Sequence, residues 1–319
     1  MKILITGGAG FIGSNIVDLL IREGHSVIVI DNLSRGKKEN IDSNAKLYVF
    51  DILDLDKLNR IFFIEKPEVV IHNAAQIDVQ TSIKKPNVDL DVNVKGTINV
   101  LECCKNSVVK KIIYPSSAAV YGNPIYLPVD EKHPVDPISF YGISKHTPEH
   151  YIRTYNKLYG IKYTIFRYSN VYGIKQDPKG EGGVVSIYID KFLNNKPPII
   201  YGNGNQTRDF IYVKDIAKAN LLALSNGDNK ILNISTQTPV TVNELFEVMK
   251  KIFNSCLNSI HEGERIGDIK DSYLNNNESK KCLNWSIDYS LEKGLRETCE
   301  YYRIIYEREK ETAFTNSLL

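Results

Sequence analysis

Tyr141 and Lys145 stand four residues apart in the run Tyr-Gly-Ile-Ser-Lys, and Tyr151, Ile152, Tyr155, Leu158 and Tyr159 continue the segment at helical spacing. Four apart on a helix is one face, with Cβ atoms about 5–6 Å from each other. A phenol beside an ammonium can do proton chemistry. Free tyrosine has a pKa near 10, so acting as a base near neutrality requires a drop of roughly 3 units, about 4 kcal/mol of preference for phenolate. A buried lysine and a second positive charge nearby supply a shift of that size. Ser117 ends a predicted strand some two dozen residues upstream and brings a hydroxyl to the same chemistry.

The second charge has a source at the other end of the chain. The apolar run Lys2-Ile3-Leu4-Ile5 is long enough for one buried strand and ends in Thr6-Gly7-Gly8-Ala9-Gly10-Phe11-Ile12-Gly13. Ile12, Ile16, Val17, Leu19 and Leu20 then recur at helical spacing before Gly24. The glycines therefore occupy a strand-to-helix turn, which aims free backbone N–H groups and a positive helix end at an anion; without Cβ atoms a pyrophosphate can approach closely. The spacing Gly7-x-x-Gly10-x-x-Gly13 is one residue wider at the front than the commonest dinucleotide fingerprint. A second strand, Ser26-Val27-Ile28-Val29-Ile30, ends at Asp31, where a carboxylate accepts hydrogen bonds from an adenosine ribose and repels a 2′-phosphate. Strand, turn, helix, strand and acid in sequence argue for NAD over a plain glycine-rich hairpin, although Arg35, Lys37 and Lys38 close behind soften the preference over NADP.

Positioning these groups takes a layered scaffold. A strand over 46–50, a helix over 53–64, a strand at 69–71, helical patterns from about 86 to 105 and a strand at 112–114 continue the alternation. Repeated strand–helix units predict an α/β fold, a doubly wound parallel sheet covered on both faces, with ligands beyond the carboxyl ends of the strands. The residues after each strand are then the ones to weigh: Asp51-Ile52, His72-Asn73-Ala74-Ala75-Gln76 and Pro115-Ser116-Ser117. Asp51 can take an adenine amino group, and Ala74-Ala75 offer a thin wall for a cofactor. His72 has no second metal ligand beside it and reads as a scaffold histidine. Asn93 reads as support. After Phe166 the alternation breaks into turn-rich stretches, so the expected domains are 1–166 and 167–319, with the segment from about 209 to 235 returning to the first sheet. Thr241-x-x-Glu244 reads as a capping box, and a last helix is expected from Ser290 to about Glu307, with the final dozen polar residues frayed.

The 319 residues suit two domains sharing a cleft, and 42% hydrophobic with 24% charged residues is the balance of a water-soluble globular protein. A net charge of +2 and the lack of any long basic run give no ground for a nucleic-acid or membrane partner. Five cysteines, Cys103, Cys104, Cys256, Cys282 and Cys299, form no Cys-x-x-Cys pair, which points away from zinc and disulfides and toward a reducing cytoplasm. The chain enters its first strand at once, with no cleavage signal and no membrane-spanning segment expected.

These motifs carry a resemblance over nearly the full length. Thr-Gly-Gly-Ala-Gly-Phe-Ile-Gly-Ser-Asn at 6–15, Asp-Asn-Leu-Ser at 31–34, His-Asn-Ala-Ala-Gln at 72–76, Ser-Ser-Ala-Ala-Val-Tyr-Gly at 116–122, Tyr-x-x-x-Lys at 141–145, Arg-Tyr-Ser-Asn-Val-Tyr-Gly at 167–173 and Arg-Asp-Phe-Ile-Tyr-Val at 208–213 resemble the extended short-chain dehydrogenase/reductases, NAD-dependent epimerases and dehydratases, and most closely the UDP-glucose 4-epimerase group. The resemblance implies a Rossmann NAD domain with a smaller α/β substrate domain. It implies Tyr141 as catalytic base, Lys145 on the nicotinamide ribose and lowering the tyrosine pKa, and Ser117 on the sugar hydroxyl. Cofactor contacts are implied for Gly7, Gly10, Phe11, Ile12, Gly13, Asp31, Asn32, Asp51, Ile52, Ala74, Ala75, Gln76 and Asn93 besides Tyr141 and Lys145. Arg208 and Arg265 are implied to grip the diphosphate of a UDP-sugar, Asn170 to lie near it, Asp268 to take the uridine ribose, and Tyr201 to stack on uracil. No metal is implied, and relatives suggest a homodimer through two helices per subunit.

The implied reaction oxidises carbon 4 of the hexose, lets the 4-ketose turn, and reduces its other face, so NAD is restored each turnover. Dehydratases with this fold carry Asp-Glu after the residue equivalent to Ser117, and decarboxylases acting on UDP-glucuronate a glutamate at the second position; here Ala118 and Ala119 stand there, and neither moves a proton. Seven residues after Arg265 the family restricts its sugar pocket with a tyrosine; Ser272 opens room for a 2-acetamido group, so turnover of UDP-N-acetylglucosamine and UDP-N-acetylgalactosamine is expected beside UDP-glucose and UDP-galactose. UDP-glucuronate stays open as a substrate for epimerisation. A non-catalytic NAD sensor of the same fold is the reading from another class, and it has no need of the Tyr141, Lys145 and Ser117 set. One departure is Pro148, three residues past Lys145 in what the family makes a continuous helix, where a bend or a later helix start is expected.

Overall fold

The computed structural model describes residues 1–178, 183–264 and 269–317, with side chains through Thr312. Seven parallel strands form one sheet: β1 (Lys2–Thr6), β2 (Ser26–Asp31), β3 (Lys46–Val49), β4 (Val69–His72), β5 (Lys111–Ser117), β6 (Lys162–Tyr168) and, later in the chain, a strand at Lys230–Ile234. The order across the sheet is β3-β2-β1-β4-β5-β6 and then that later strand. Period-two alternation sends each strand's side chains to opposite layers. Ile3 and Ile5, Val27 and Val29, Val69 and Ile71 enter one core. Leu4, Ile28, Ile30 and Val70 enter the other. Being buried on both faces is why these strands read as continuous apolar runs.

Helices cover both faces. One layer packs α1 (Phe11–Arg22) through Ile16, Val17 and Leu20. The other packs α2 (Leu55–Glu65) through Leu58, Ile61 and Phe62. After β4 come α3 (Val79–Lys84) and α4 (Pro86–Leu90), then one wide π turn (Asp91–Lys95) leading into α5 (Gly96–Lys105). The helical patterns expected from about 86 to 105 are thus α4 and α5, joined by that π turn. After β5, α6 (Phe140–Tyr159) starts at Ser139, whose Oγ accepts the Gly142 N–H at 3.1 Å, and it runs unbroken through buried Pro148. The start is the early one, so the missing proline N–H falls two turns beyond Tyr141.

A second unit is built on β7 (Asn170–Tyr172), α7 (Val184–Leu193), β8 (Ile199–Tyr201), β9 (Thr207–Tyr212), β11 (Pro239–Thr241), α9 (Val242–Phe253), β12 (Ile260–Glu262) and β13 (Asp271–Ser272), with α8 (Val213–Ala223) and β10 (Lys230–Ile234) between. β9 pairs with β7, β11 and β13, while β8 pairs with β12. The capping box at Thr241 and Glu244 opens α9. The return expected over 209–235 begins only at α8, which packs Ile216, Ala217 and Ala219 into the α1 layer, and ends with β10 beside β6. β9 stays in the second sheet because its residues alternate between two cores: Phe210 and Tyr212 face the second, Ile211 the first. The first sheet also runs two residues past the expected boundary at 166, since β6 keeps register with β5 to Tyr168. After α10 (Asn277–Leu283), α11 (Leu291–Ser317) closes the second core through Leu295 and Cys299, and it is helical well past Glu307, where fraying was expected.

Candidate active site

The turn between β1 and α1 lies where the strand order reverses, beside the loop after β4. A Cβ at Gly7, which sits at φ +68°, would come within 2.6 Å of the Ala74 backbone nitrogen. A Cβ at Gly13 would lie 2.1 Å from the Gly7 carbonyl oxygen. Gly10 begins α1 without any side-chain cap, so the first N–H groups of the helix are left for an anion. Around this turn runs a cleft of about 570 Å³. It is lined by Gly7, Gly10, Phe11, Ile12, Gly13, Asp31, Asn32, Asp51, Ile52, Ala74, Ala75 and Gln76, all expected cofactor contacts. Three buried polar atoms on its wall, Asn73 Nδ2, Ser169 Oγ and Gln176 Oε1, have no hydrogen-bond partner among the described residues. Such atoms await a ligand with donors and acceptors, and a dinucleotide has both, so the residues present fit NAD.

The acids are partly engaged. Asp31 accepts from the Ala9 N–H at 2.9 Å and the Leu33 N–H at 2.8 Å, which fixes the turn after β2 while its carboxylate still borders the cleft. Asp51 accepts from Asn32 Nδ2 at 2.8 Å and from the Leu53 N–H at 2.9 Å.

Tyr141, Lys145 and Ser117 line the same cleft as the glycine turn. Gly142 makes this possible, because a Cβ there would lie 2.7 Å from the Ala119 carbonyl; its absence lets the first turn of α6 rest on the turn that follows Ser117. Lys145 is buried, with Nζ 4.6 Å from the centre of the Tyr114 ring. Loss of water pulls its pKa down to about 7, against the carboxylates of Glu149 and Asp89, which favour the charged form. Ser117 Oγ accepts from the Ala119 N–H at 3.2 Å.

Asn93 does not line the cleft; it lies beneath it at 2% exposure, holding Gln76 and donating to Ser144 Oγ at 2.9 Å. His72 is a scaffold histidine, between Thr6 Oγ1 at 2.6 Å and Thr97 Oγ1 at 2.9 Å. Of the expected substrate contacts, Asn170 and Ser117 line the cleft. Tyr201, Arg208 and Ser272 do not: Tyr201 ends β8, and Arg208 and Ser272 are register partners between β9 and β13, on the second sheet. Arg208 Nη1 donates to the Thr207 carbonyl at 2.8 Å, so its guanidinium is turned along its own strand edge. Arg265 and Asp268 lie outside the described residues. Gln176 is a lining residue that no sequence motif marks, because nothing local distinguishes a buried glutamine; the turn-rich stretch around it is the one signal. Among the described residues no cluster of histidine, cysteine and acid side chains could hold a metal, and no helix is long and apolar enough to cross a membrane.

The model of the NAD dependent epimerase/dehydratase family matches residues 3–235, across the glycine turn, the segments of Ser117 and of Tyr141 and Lys145, and the returning strand β10. The chain belongs to this family. Within it, the chain is 50% identical over 302 residues to a putative UDP-glucose 4-epimerase of Methanocaldococcus jannaschii, covering 94% of this chain and 98% of the relative. The crystal structure of UDP-glucose 4-epimerase with UDP-glucose from Thermotoga maritima superposes with a TM-score of 0.94 at 43% identity, covering 96% of this chain and 99% of that one. A UDP-N-acetylglucosamine 4-epimerase of Methanobrevibacter ruminantium, in complex with UDP-N-acetylmuramic acid, gives a TM-score of 0.90 at 36% identity, over 94% and 97% of the two chains. As a family member the chain uses NAD, and its Rossmann sheet is the one the sequence predicts.

Proposed function

We propose that this protein is an NAD-dependent UDP-hexose 4-epimerase that interconverts UDP-glucose and UDP-galactose, and that it also turns over UDP-N-acetylglucosamine and UDP-N-acetylgalactosamine. The observation that carries the reading is that Tyr141, Lys145 and Ser117 border one cleft with the glycine turn, while the next two residues are Ala118 and Ala119. The phenol of Tyr141, the ammonium of Lys145 and the hydroxyl of Ser117, with no acid–base pair after Ser117, can move a proton on and off a single hydroxyl. They cannot also expel a neighbouring one.

When bound, NAD supplies the oxidising and reducing equivalents. Tyr141 takes the proton of the sugar 4′-hydroxyl and returns it to the same oxygen when carbon 4 of the turned 4-keto sugar is reduced on its other face. Ser117 holds that oxygen by hydrogen bond through both half-reactions. Lys145 holds the cofactor ribose and, when charged, favours phenolate over phenol at Tyr141. Asn170, Arg208, Arg265 and Asp268 anchor the nucleotide end, leaving the sugar free to turn. Ser272 in place of a bulky side chain is the basis for accepting a 2-acetamido group, as the Methanobrevibacter ruminantium relative's name records for that protein.

A homodimer belongs to the same reading. Ile143, Tyr151 and Leu158 form an exposed apolar stripe on α6, with Ile83 and Leu90 exposed on the neighbouring α3 and α4. Five free cysteines fit a reducing compartment such as the cytoplasm. The test is direct: purified protein with bound NAD, given UDP-glucose, forms UDP-galactose. No conversion of any UDP-hexose by NAD-loaded protein overturns the reading and favours a non-catalytic NAD sensor.

A further inference from the structure

Glu149 is 2% exposed and lies one helical turn beyond Lys145 on α6. Its Oε1 accepts from Ser116 Oγ at 2.6 Å and from Arg167 Nε at 3.1 Å, and its Oε2 from Arg167 Nη2 at 2.6 Å. Ser116 and Arg167 are register partners on β5 and β6. Three elements therefore meet on one carboxylate: the helix carrying Tyr141 and Lys145, the strand whose next residue is Ser117, and the strand leading to Asn170. Arg167 extends the junction, since its guanidinium carbon stands 4.7 Å from the centre of the Tyr121 ring, in the turn that follows Ser117. Tyr121 in turn donates from its hydroxyl to Asn233 Oδ1 on β10 at 2.7 Å.

We propose that Glu149 is a positioning residue: through Ser116 and Arg167 it sets where α6 sits against the ends of β5 and β6, and so fixes Tyr141 and Lys145 relative to Ser117. The inference rests on the epimerase reading of the cleft. Stability alone is a poor reason for such a pair, because exchanging both members of a buried ion pair for well-packed apolar groups of similar volume is often neutral or stabilising. Geometry is the better reason, since a displacement of about 1 Å at reacting groups can cost about a hundredfold in rate.

The carboxylate also acts on charge. Lys145 is faced by Tyr114 from β5, His72 from β4, Asp89 from α4, and Tyr141 and Glu149 from its own helix. Of these, Glu149 and Asp89 favour the ammonium, and the Arg167 guanidinium partly offsets Glu149; His146, its Nε2 3.9 Å from Glu149 Oε2, has its pKa lowered by burial and carries no charge near neutrality. Removing the Glu149 charge makes Lys145 lose its proton at lower pH, and with it the cation that favours the Tyr141 phenolate.

Three variants test this: Ser116→Ala, Glu149→Gln and the double variant Glu149→Gln with Arg167→Gln. The readouts are kcat, the KM for UDP-glucose, retained NAD, the pH profile, and the phenolate absorbance of each protein minus that of its Tyr141→Phe counterpart. Ser116→Ala lowers kcat about tenfold with KM and NAD unchanged and no shift in the pH profile. Glu149→Gln lowers kcat further and moves the alkaline limb down by about one pH unit. The double variant regains thermal stability without regaining kcat, and it carries the test if the single variant does not fold. Wild-type kcat and pH profile in the double variant would overturn the proposal, as would an unchanged kcat in Ser116→Ala. Should the wild-type protein convert no UDP-hexose, the proposed function fails while the absorbance titration still decides the positioning role. Tyr141 ionising at the same pH with and without the Glu149 charge would sink it.

Discussion

Asn93 holds the backbone of Gln76 from both sides: its Oδ1 accepts the Gln76 N–H at 2.7 Å, and its Nδ2 donates to the Gln76 carbonyl at 2.9 Å. The π turn at Asp91–Lys95 carries Asn93, the kind of local widening that re-aims a side chain at a functional site. Since the same Nδ2 reaches Ser144 Oγ, the residue before Lys145, the loop along the cleft and the helix carrying Tyr141 and Lys145 are tied together.

Asn93→Ala takes the side-chain partner from two part-buried backbone groups of Gln76, a loss of at most about 1–3 kcal/mol for each group that water does not reach. Thermal unfolding should shift down, and NAD should dissociate more readily, by about tenfold if half of that loss falls on the bound state. A titration of the stripped protein with NAD measures it. Unaltered NAD affinity would mean that the loop keeps its shape without Asn93.

Much of this cleft was legible in the sequence, and the reason is local. The glycine turn, Asp31, the Tyr141–Lys145 pair and Ser117 announce themselves by spacing along one element or at its end, where chain geometry fixes the outcome. The Glu149–Arg167 junction is different. Its members come from α6 and β6 and meet only because β5 and β6 take one register, with Ser116 opposite Arg167. The sharing of β9 between two cores follows the same logic, as its alternation is visible in sequence but which core each face meets is not. Arg208 and Ser272 stand side by side only through the pairing of β9 with β13.

Tyr141→Phe removes the phenolic oxygen and keeps the ring that borders the cleft. General acid–base groups contribute about 10²–10⁴-fold, so kcat should fall by at least about a hundredfold. On the proposed reading the glycine turn and Lys145 hold NAD, so the cofactor should stay bound at the parent level. Measuring turnover and cofactor content together checks both halves; a variant working at the parent rate removes Tyr141 from the mechanism.

Gly13→Ala tests the cradle. The added methyl carbon would sit 2.1 Å from the Gly7 carbonyl oxygen, with Gly7 itself at φ +68° and pressed against Ala74. Neither neighbour is a flexible side chain, so the turn must open. Protein that still folds should carry no NAD, read as the cofactor released on denaturation. Full cofactor content would show that the turn tolerates a Cβ.

Ser272→Tyr concerns substrate choice. If this position borders the sugar pocket once the nucleotide is bound, the aromatic ring should block the 2-acetamido group and spare the plain hexose. The expected result is loss of UDP-N-acetylglucosamine turnover by about 10–200-fold, with UDP-glucose affected far less. Equal losses on both substrates would place Ser272 away from carbon 2.

His72 makes the pH dependence of folding testable. Thr97 Oγ1 donates to the Asn93 carbonyl at 2.6 Å, so toward His72 it acts as acceptor, which puts the imidazole proton on Nε2 and leaves Nδ1 to accept from Thr6. A second proton on Nδ1 would require Thr6 Oγ1 to turn from donor to acceptor, and burial, helped by the charge of Lys145, lowers the His72 pKa to about 3. In the unfolded chain the same group titrates near 6.5. Between these values the unfolded state binds the extra proton, so stability rises with pH across the window and is lost as pH falls through it. Replacing the ring by a group that cannot be protonated, His72→Gln, removes that slope. The variant should be less stable than the parent at about pH 7, where the two threonine hydrogen bonds are lost, and the gap in thermal midpoint should shrink toward about pH 4. A gap that stays constant over that range would mean that His72 is not held neutral by the fold.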